Sequence, residues 1–444
     1  MGDAGILALM VGLFLALGYL GVPVAFALMA GVLVGVQFTE VTPAAIIQQM
    51  FNGVDSEALL AVPFFLLVGE LMTSANVAVR IADLSQALVG HVRGGLGQVV
   101  AVFSMFFSGM SGSANADVAV LSRTLGGPMQ RDGYSPAFTA ALIAAASTIA
   151  VLVPPSITAV VYGAVGNVSI SGLFIAGILP GLMIGLGLMG YCYLFGPPGV
   201  RRRRASLGEV AGAARASALP LFIPVILLGG ILTGWFTPTE AGVVAVAWLL
   251  AVVIPVQNRG HLRRLPHDFC QAALIYSLPL ITIAAAASFG WLLAYLRGPI
   301  VVAGWLTSVA GTDPHAIMLS LVLLFTIVGD FIEPIPTIII FMPVVANLVQ
   351  AGDINPVHMG VLLIETLAFG LITPPYGLVL LMGSKFVGVG FGAALRASMP
   401  IYLIFLATIA FTIFVPDAIL WLPKHLVPQS VGCFRIPGAG WTCP

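Results

Sequence analysis

Apolar residues run on along this chain in long blocks, most of them at or above the roughly 17 residues that cross ~30 Å of hydrocarbon as an α-helix. Such blocks lie near 5–20, 23–39, 60–76, 136–166, 170–197, 218–236, 239–256, 268–295, 356–386 and 398–416, which predicts ten membrane spans. A membrane barrel would show ~10-residue segments of alternating character instead of continuous runs. Two further apolar stretches, near 96–128 and 315–350, are interrupted midway by small, polar and proline residues. Interruptions of this kind leave backbone groups unpaired in lipid, so both stretches read as re-entrant hairpins sheltered by protein. The expected fold is an all-α polytopic membrane protein.

The two halves match each other at an offset of 220 residues. Pro136 pairs with Pro356, Pro154-Pro155 with Pro374-Pro375, Gly163 with Gly383, Gly172 with Gly392 and Pro180 with Pro400, all in one ungapped register. Each half then holds five spans and one hairpin: a first repeat over 1–200, a cytoplasmic loop over 201–217, a second repeat over 218–416 and a tail over 417–444. Because five crossings is an odd number, the second half enters the membrane from the opposite side. Inverted repeats of this kind belong to secondary transporters with a midplane site between the halves.

Composition excludes a water-soluble fold: of 444 residues 59% are hydrophobic and 8% charged, and the mean hydropathy is +1.09, against roughly 25% charged in soluble domains. The 17 basic and 17 acidic side chains cancel, which leaves no field to attract nucleic acid. Basic residues set the orientation. Arg201 to Arg204 and Arg259, Arg263 and Arg264 belong in the cytoplasm, together with Arg80, Arg93, Arg131, Lys385 and Arg396. Both chain ends then fall outside, and the segment Gly5 to Leu20, which lacks a basic leader, reads as a retained span. Cys192 and Cys270 lack metal-ligand spacing, and Cys433 and Cys443 sit where either a disulfide or two free thiols is open.

The chemistry concentrates at the interruptions. The first hairpin tip reads Ser108-Gly109-Met110-Ser111-Gly112-Ser113-Ala114-Asn115-Ala116-Asp117. Hydroxyl, amide and carbonyl oxygens are hard ligands suited to a small cation, and the arm that starts near Ser113 aims a helix N-terminus at any anion there. In the span that follows, Pro154-Pro155 removes N–H donors and frees the carbonyls of Ala150 and Val153. A sodium ion would satisfy them, with Ser156 or Thr158 adding a hydroxyl oxygen. The second half repeats the design, with Gly370-Leu371-Ile372-Thr373-Pro374-Pro375-Tyr376-Gly377 facing a tip that contains Gly329, Asp330, Glu333, Pro334, Pro336 and Thr337.

Asp117, Asp330, Glu333, Glu365 and Glu70 lie in or near membrane segments, where a lipid-facing carboxylate costs roughly 2.5–3.5 kcal/mol. Asp117 and Glu333, at the tips, are candidates for a direct role; Glu70 and Glu365 read as packing or gating residues. No Arg or Lys lies near the midplane, so helix N-termini and bound cations are left to hold an anion; Arg123 is the nearest exception. The six His residues fall in loops or at segment ends, which disfavours an intramembrane hydrolase. The phosphate-binding Gly-Lys-Ser/Thr loop of an ATPase is missing, which leaves an ion gradient as the energy source.

At Gly229-Gly230-Ile231-Leu232-Thr233-Gly234-Trp235-Phe236-Thr237-Pro238-Thr239-Glu240-Ala241 the chain resembles the signature of the large membrane subunit of TRAP, the tripartite ATP-independent periplasmic transporters. Pro63-Phe64-Phe65-Leu66-Leu67-Val68-Gly69-Glu70-Leu71-Met72 resembles that family's third span, and the likeness runs from about residue 5 to 416. The resemblance implies an elevator-type, sodium-coupled symporter of the bacterial inner membrane, with a small four-span partner subunit and a periplasmic binding protein. That protein would deliver a carboxylate or sialic acid type substrate. By position, one sodium site would use Ser108, Ala150, Val153 and Ser156, with Ser111 and Ser113 beside them; the other would use Gly329, Gly370, Thr373 and Tyr376. Substrate is expected between them, at Asn115, Asp117, Pro155, Glu333, Pro334, Thr337 and Pro375. Two departures stand out: the second tip carries both Pro334 and Pro336, and the tail after Pro416 matches nothing in the family. An autonomous sodium/carboxylate symporter, without a binding protein, is the competing reading.

Overall fold

The computed structural model describes residues 2–197, 203–431, 434–436 and 440–442. Cys433 and Cys443 lie outside the described residues, as do Arg201 and Arg202. Among the described residues the regular structure is helical apart from a short antiparallel pairing of Phe434–Ile436 with Gly440–Thr442 in the tail. Among the described residues, eight helices are long and apolar enough to cross a membrane, or nine if one bent pair counts as a single span.

These eight differ in makeup from the ten runs read in the sequence. They include both arms of the second hairpin, Pro314–Phe331 and Pro334–Ala351. Three of the expected spans form shorter helices: Asp3–Tyr19 and Val24–Val36, where Pro23 and the turn after Val36 cut the apolar run, and the run 356–386, which breaks at Pro374-Pro375 into Pro356–Gly370 and Leu378–Val387. The run near 60–76 ends as helix Ala61–Ser74 and turns by 74° into Val77–Val89. Asn76 sits at the corner with φ +59°, a left-handed conformation that asparagine tolerates better than most residues.

Prolines set the irregularities elsewhere. Pro128 and Pro255 offer no N–H to the preceding turn, and the helix widens into a π turn just before each, at Ser122–Gly126 and Leu249–Val253. The segment 229–241 becomes a tight turn between helices Leu207–Leu232 and Pro238–Trp248. Thr237 accepts from the Glu240 N–H while the Glu240 carboxylate accepts from the Thr237 N–H, a reciprocal cap. Helix Leu207–Leu232 opens with the same device at Ser206 and Glu209, inside the segment read as a loop.

Burial separates the centre from the rim. The span 136–166 is 78% buried over its most apolar window, whereas Leu207–Leu232 is 33% buried. Exposed Leu186, Leu194, Phe222, Val225 and Leu403 present an apolar outer surface, as a lipid-facing wall requires. The first hairpin and the spans broken at Pro154 and Pro374 are mostly buried, whereas the second hairpin arm Pro314–Phe331 is 33% buried, and the long helix Leu265–Tyr295 packs against Val24–Val36, Pro43–Val54 and the second hairpin arm Pro334–Ala351.

Candidate functional site

The first hairpin consists of Gly95–Ser111 and Ala114–Leu121, joined at Gly112 and Ser113. Gly112 holds φ +61°, and a Cβ there would lie 2.4 Å from the Pro155 carbonyl oxygen; only glycine lets this tip touch the break in the next span. The contact is fixed by the Ile157 N–H, which donates to Gly112 O at 3.4 Å. Pro154 pushes Val153 into extended backbone, ψ 126°, and the Pro154–Pro155 and Pro374–Pro375 peptide bonds are both cis.

The carbonyl of Ala150 faces Pro154, which has no N–H, and Val153 O loses its regular donor because Ile157 turns to Gly112. Among the described residues no donor meets either oxygen. Ser156 caps the helix beyond the break by accepting from the Ala159 N–H at 3.1 Å, and its hydroxyl donates to Val151 O. Ser111 donates to Asp117 Oδ1; Asp117 is fully buried, and its Oδ2 has no partner among the described residues. Hydroxyl, carbonyl and carboxylate oxygens on touching segments suit a sodium ion. Ser113 spends its oxygen capping the Ala116 N–H, and Ser108 donates within its own helix to Met105 O.

In the second half, Gly370 and Gly329 bring break and tip together: a Cβ on Gly370 would lie 3.0 Å from the Gly329 carbonyl carbon. Thr373 Oγ1 donates to Asp330 Oδ1 and lies 3.2 Å from Gly370 O, which also accepts from the Thr373 N–H. The sequence places Asp330 in the tip facing this break, but Met110, its counterpart in the 220-residue register, gives no hint of the Thr373 contact. Tyr376 is exposed and meets Phe331 edge-on at 5.6 Å, with Pro374 and Pro375 exposed beside it, whereas Pro154 and Pro155 are buried. Thr337 donates to Glu333 O at 2.9 Å within its own first turn. Glu365 lies apart from the tips, fully buried, accepting from Thr412 at 2.7 Å.

The two tips meet. Asn115 Nδ2 donates to Glu333 Oε1 at 3.2 Å across the repeat boundary, and both side chains line a cavity of about 80 Å³. Ser113, Thr158 and Pro334 complete its polar and tip faces, and Val62, Leu66 and Pro279 close the other side. Helices Ala114–Leu121, Ile157–Gly166 and Pro334–Ala351 all begin at this cavity, so their positive ends surround it. Among the described residues no Lys, Arg or His lines it, and Arg123 lies elsewhere, exposed. Pro155, Pro375, Thr337 and Asp117 do not line it.

Comparisons with known proteins agree on a family. The profile described as tripartite ATP-independent periplasmic transporter, DctM component, matches residues 11–418. The chain is 36% identical over 382 residues to the C4-dicarboxylate TRAP transporter large permease protein DctM of Pseudomonas aeruginosa, covering 85% of this chain and 89% of that one. It is 35% identical over 408 residues to the 2,3-diketo-L-gulonate TRAP transporter large permease protein YiaN of Escherichia coli, with 90% and 95% covered. The sialic acid TRAP transporter large permease protein SiaM of Vibrio cholerae is 34% identical over 421 residues, with 93% and 97% covered. Among solved structures, the YdaH transporter of Alcanivorax borkumensis superposes with a TM-score of 0.60 at 16% identity, over 85% of this chain and 88% of that one, a likeness of fold alone.

Proposed function

The chain belongs to the DctM family of tripartite ATP-independent periplasmic transporters, and from that membership we propose that it is the sodium-coupled permease for an organic acid anion in the bacterial inner membrane. A small four-span subunit and a periplasmic binding protein complete the system. The relatives named above carry acids in their names, which supports the substrate class.

The observation that carries sodium coupling is the pair of donorless carbonyls, Ala150 O and Val153 O, beside Ser156 and the Ser111–Asp117 pair. A buried carbonyl without a donor is costly, and a sodium ion at the break offsets that cost. The second site would form around Gly329, Gly370, Thr373 and Asp330. Sodium there would neutralise Asp117 and Asp330 and draw the tips onto the breaks. The substrate carboxylate would then meet the helix ends at Ala114, Ile157 and Pro334. In the inverted-repeat reading, hairpins and broken spans move together as the mobile body of an elevator against the outer helices.

An enzyme reading finds little support. Ser74 and Asp268 both contact Nε2 of His261, at 3.3 and 2.6 Å, so the imidazole has no second nitrogen linking serine to aspartate as a relay requires. Uptake of labelled organic acids into proteoliposomes tests the proposal, with the chain, its small partner and a candidate binding protein present. Uptake that needs both an inward sodium gradient and the binding protein is expected. Sodium-driven uptake without the binding protein would favour the autonomous symporter, and sodium-independent uptake would remove the ion assignment.

A further inference from the structure

Within that reading, on which this inference rests, we propose that the cavity between the hairpin tips takes a monocarboxylate bearing an amino or hydroxyl group at its far end, and that Glu333 selects it. The lining is lopsided. Three helix N-termini face the cavity, and the first-turn N–H groups of Ala114, Asn115, Thr158 and Ile335, which have no partner among the described residues, are left for one carboxylate. Among the described residues, the one charged side chain lining the cavity is itself a carboxylate, Glu333, and no cationic side chain lines it to receive a second anion.

The Asn115–Glu333 pair leaves acceptors without donors. The Asn115 amide uses its Nδ2 on Glu333 Oε1, and its own Oδ1 is buried with no partner among the described residues. Beyond that amide, no donor meets the Glu333 carboxylate among the described residues. Acceptors in this state favour a ligand that brings hydrogens, as an ammonium or hydroxyl does, and penalise one that brings more oxygen lone pairs. A dicarboxylate would place its second negative group beside Glu333 in a low-dielectric cavity, where like charges repel strongly. Specificity built on buried polar groups is steep, because the wrong ligand leaves them unpaired.

The test uses the purified chain in sodium-containing detergent buffer and four acids that differ only at the far end: 4-aminobutyrate, 4-hydroxybutyrate, butyrate and succinate. Half-saturating concentrations are read from ligand-dependent thermal stabilisation. 4-Aminobutyrate should bind roughly tenfold or more tighter than succinate, with 4-hydroxybutyrate between them. Glu333→Gln should bring amine and dicarboxylate within about twofold of each other while leaving the sodium half-saturation unchanged. The wild-type order alone is decisive if that variant does not fold: succinate binding as tightly as the amine overturns the proposal. So does a Glu333→Gln protein whose sodium dependence moves while the amine-to-succinate ratio stays, since the carboxylate would then be holding the cation. If none of the four acids binds, the cavity is not the acid site and the proposal is overturned. Failure of sodium-driven uptake in the reconstituted system would instead sink the broader reading, and is measured separately.

Discussion

At the scale of single residues, two glycines that share a backbone conformation separate strain from contact. Gly112 and Gly388 both have positive φ, +61° and +80°, but a Cβ on Gly388 meets nothing within 4 Å while one on Gly112 meets Pro155 O at 2.4 Å. Gly388→Ala should cost only the left-handed conformation, roughly 1–2 kcal/mol. Gly112→Ala should lower thermal stability further and abolish transport, as measured by fluorescence-detected melting and by uptake; equal effects would mean that the tip is free of the break. Thr373 offers a second test. Thr373→Val keeps the shape but removes the hydroxyl that meets Asp330, so the sodium concentration for half-maximal uptake should rise several-fold, with Thr373→Ser close to wild type. The donorless Ala150 carbonyl was legible in the sequence because Pro154 has no N–H wherever it stands, whereas that of Val153 depends on Ile157 turning to Gly112. The sequence set Asp330 in the tip that faces this break, but its pairing with Thr373, 43 positions away, was not legible, because Met110, its counterpart in the 220-residue register, carries no carboxylate.

At the scale of elements, hairpins and breaks could be read because each interrupts an apolar run with residues that lipid cannot accommodate. The helices Pro43–Val54 and Val77–Val89 escaped that reading: they mix polar and apolar positions over 12 and 13 residues, too few for a spanning segment. The 74° bend between Ala61–Ser74 and Val77–Val89 depends on one asparagine in a left-handed conformation, which composition does not reveal. The stretch that carries the family resemblance is a helix-entry turn, and Thr237 is its cap. Thr237→Ala should therefore lower the stability of the purified chain by about 1 kcal/mol, while Thr237→Ser, which can still accept from the Glu240 N–H, should melt with the wild type. Sodium dependence of uptake should be the same in both variants, because this turn stands apart from the tips and breaks.

The arrangement of the whole molecule bears on whether the hairpins move. Helix Leu265–Tyr295 runs past the second hairpin arm Pro334–Ala351, and Gly290 makes the close approach: a Cβ built there lies 3.4 Å from Ile340 Cα. A Cys pair placed at these two positions, neither of which lines the cavity, tests that contact by cross-linking. If the hairpins and broken spans slide as one body against the outer helices, the bond would hold the protein in the conformation seen here. Gly290→Cys with Ile340→Cys should then lose uptake on mild oxidation and regain it with a reductant, while each single variant stays active under both conditions. Uptake that survives a fully formed cross-link would mean that this pair of helices moves together, and the sliding surface would have to be sought elsewhere. In the sequence such a motion was an expectation from the family resemblance, beside the inverted repeats read from the 220-residue register of prolines and glycines; which helices would touch across a sliding surface depends on side-chain size at single crossings such as Gly290, and those appear only once the helices are packed.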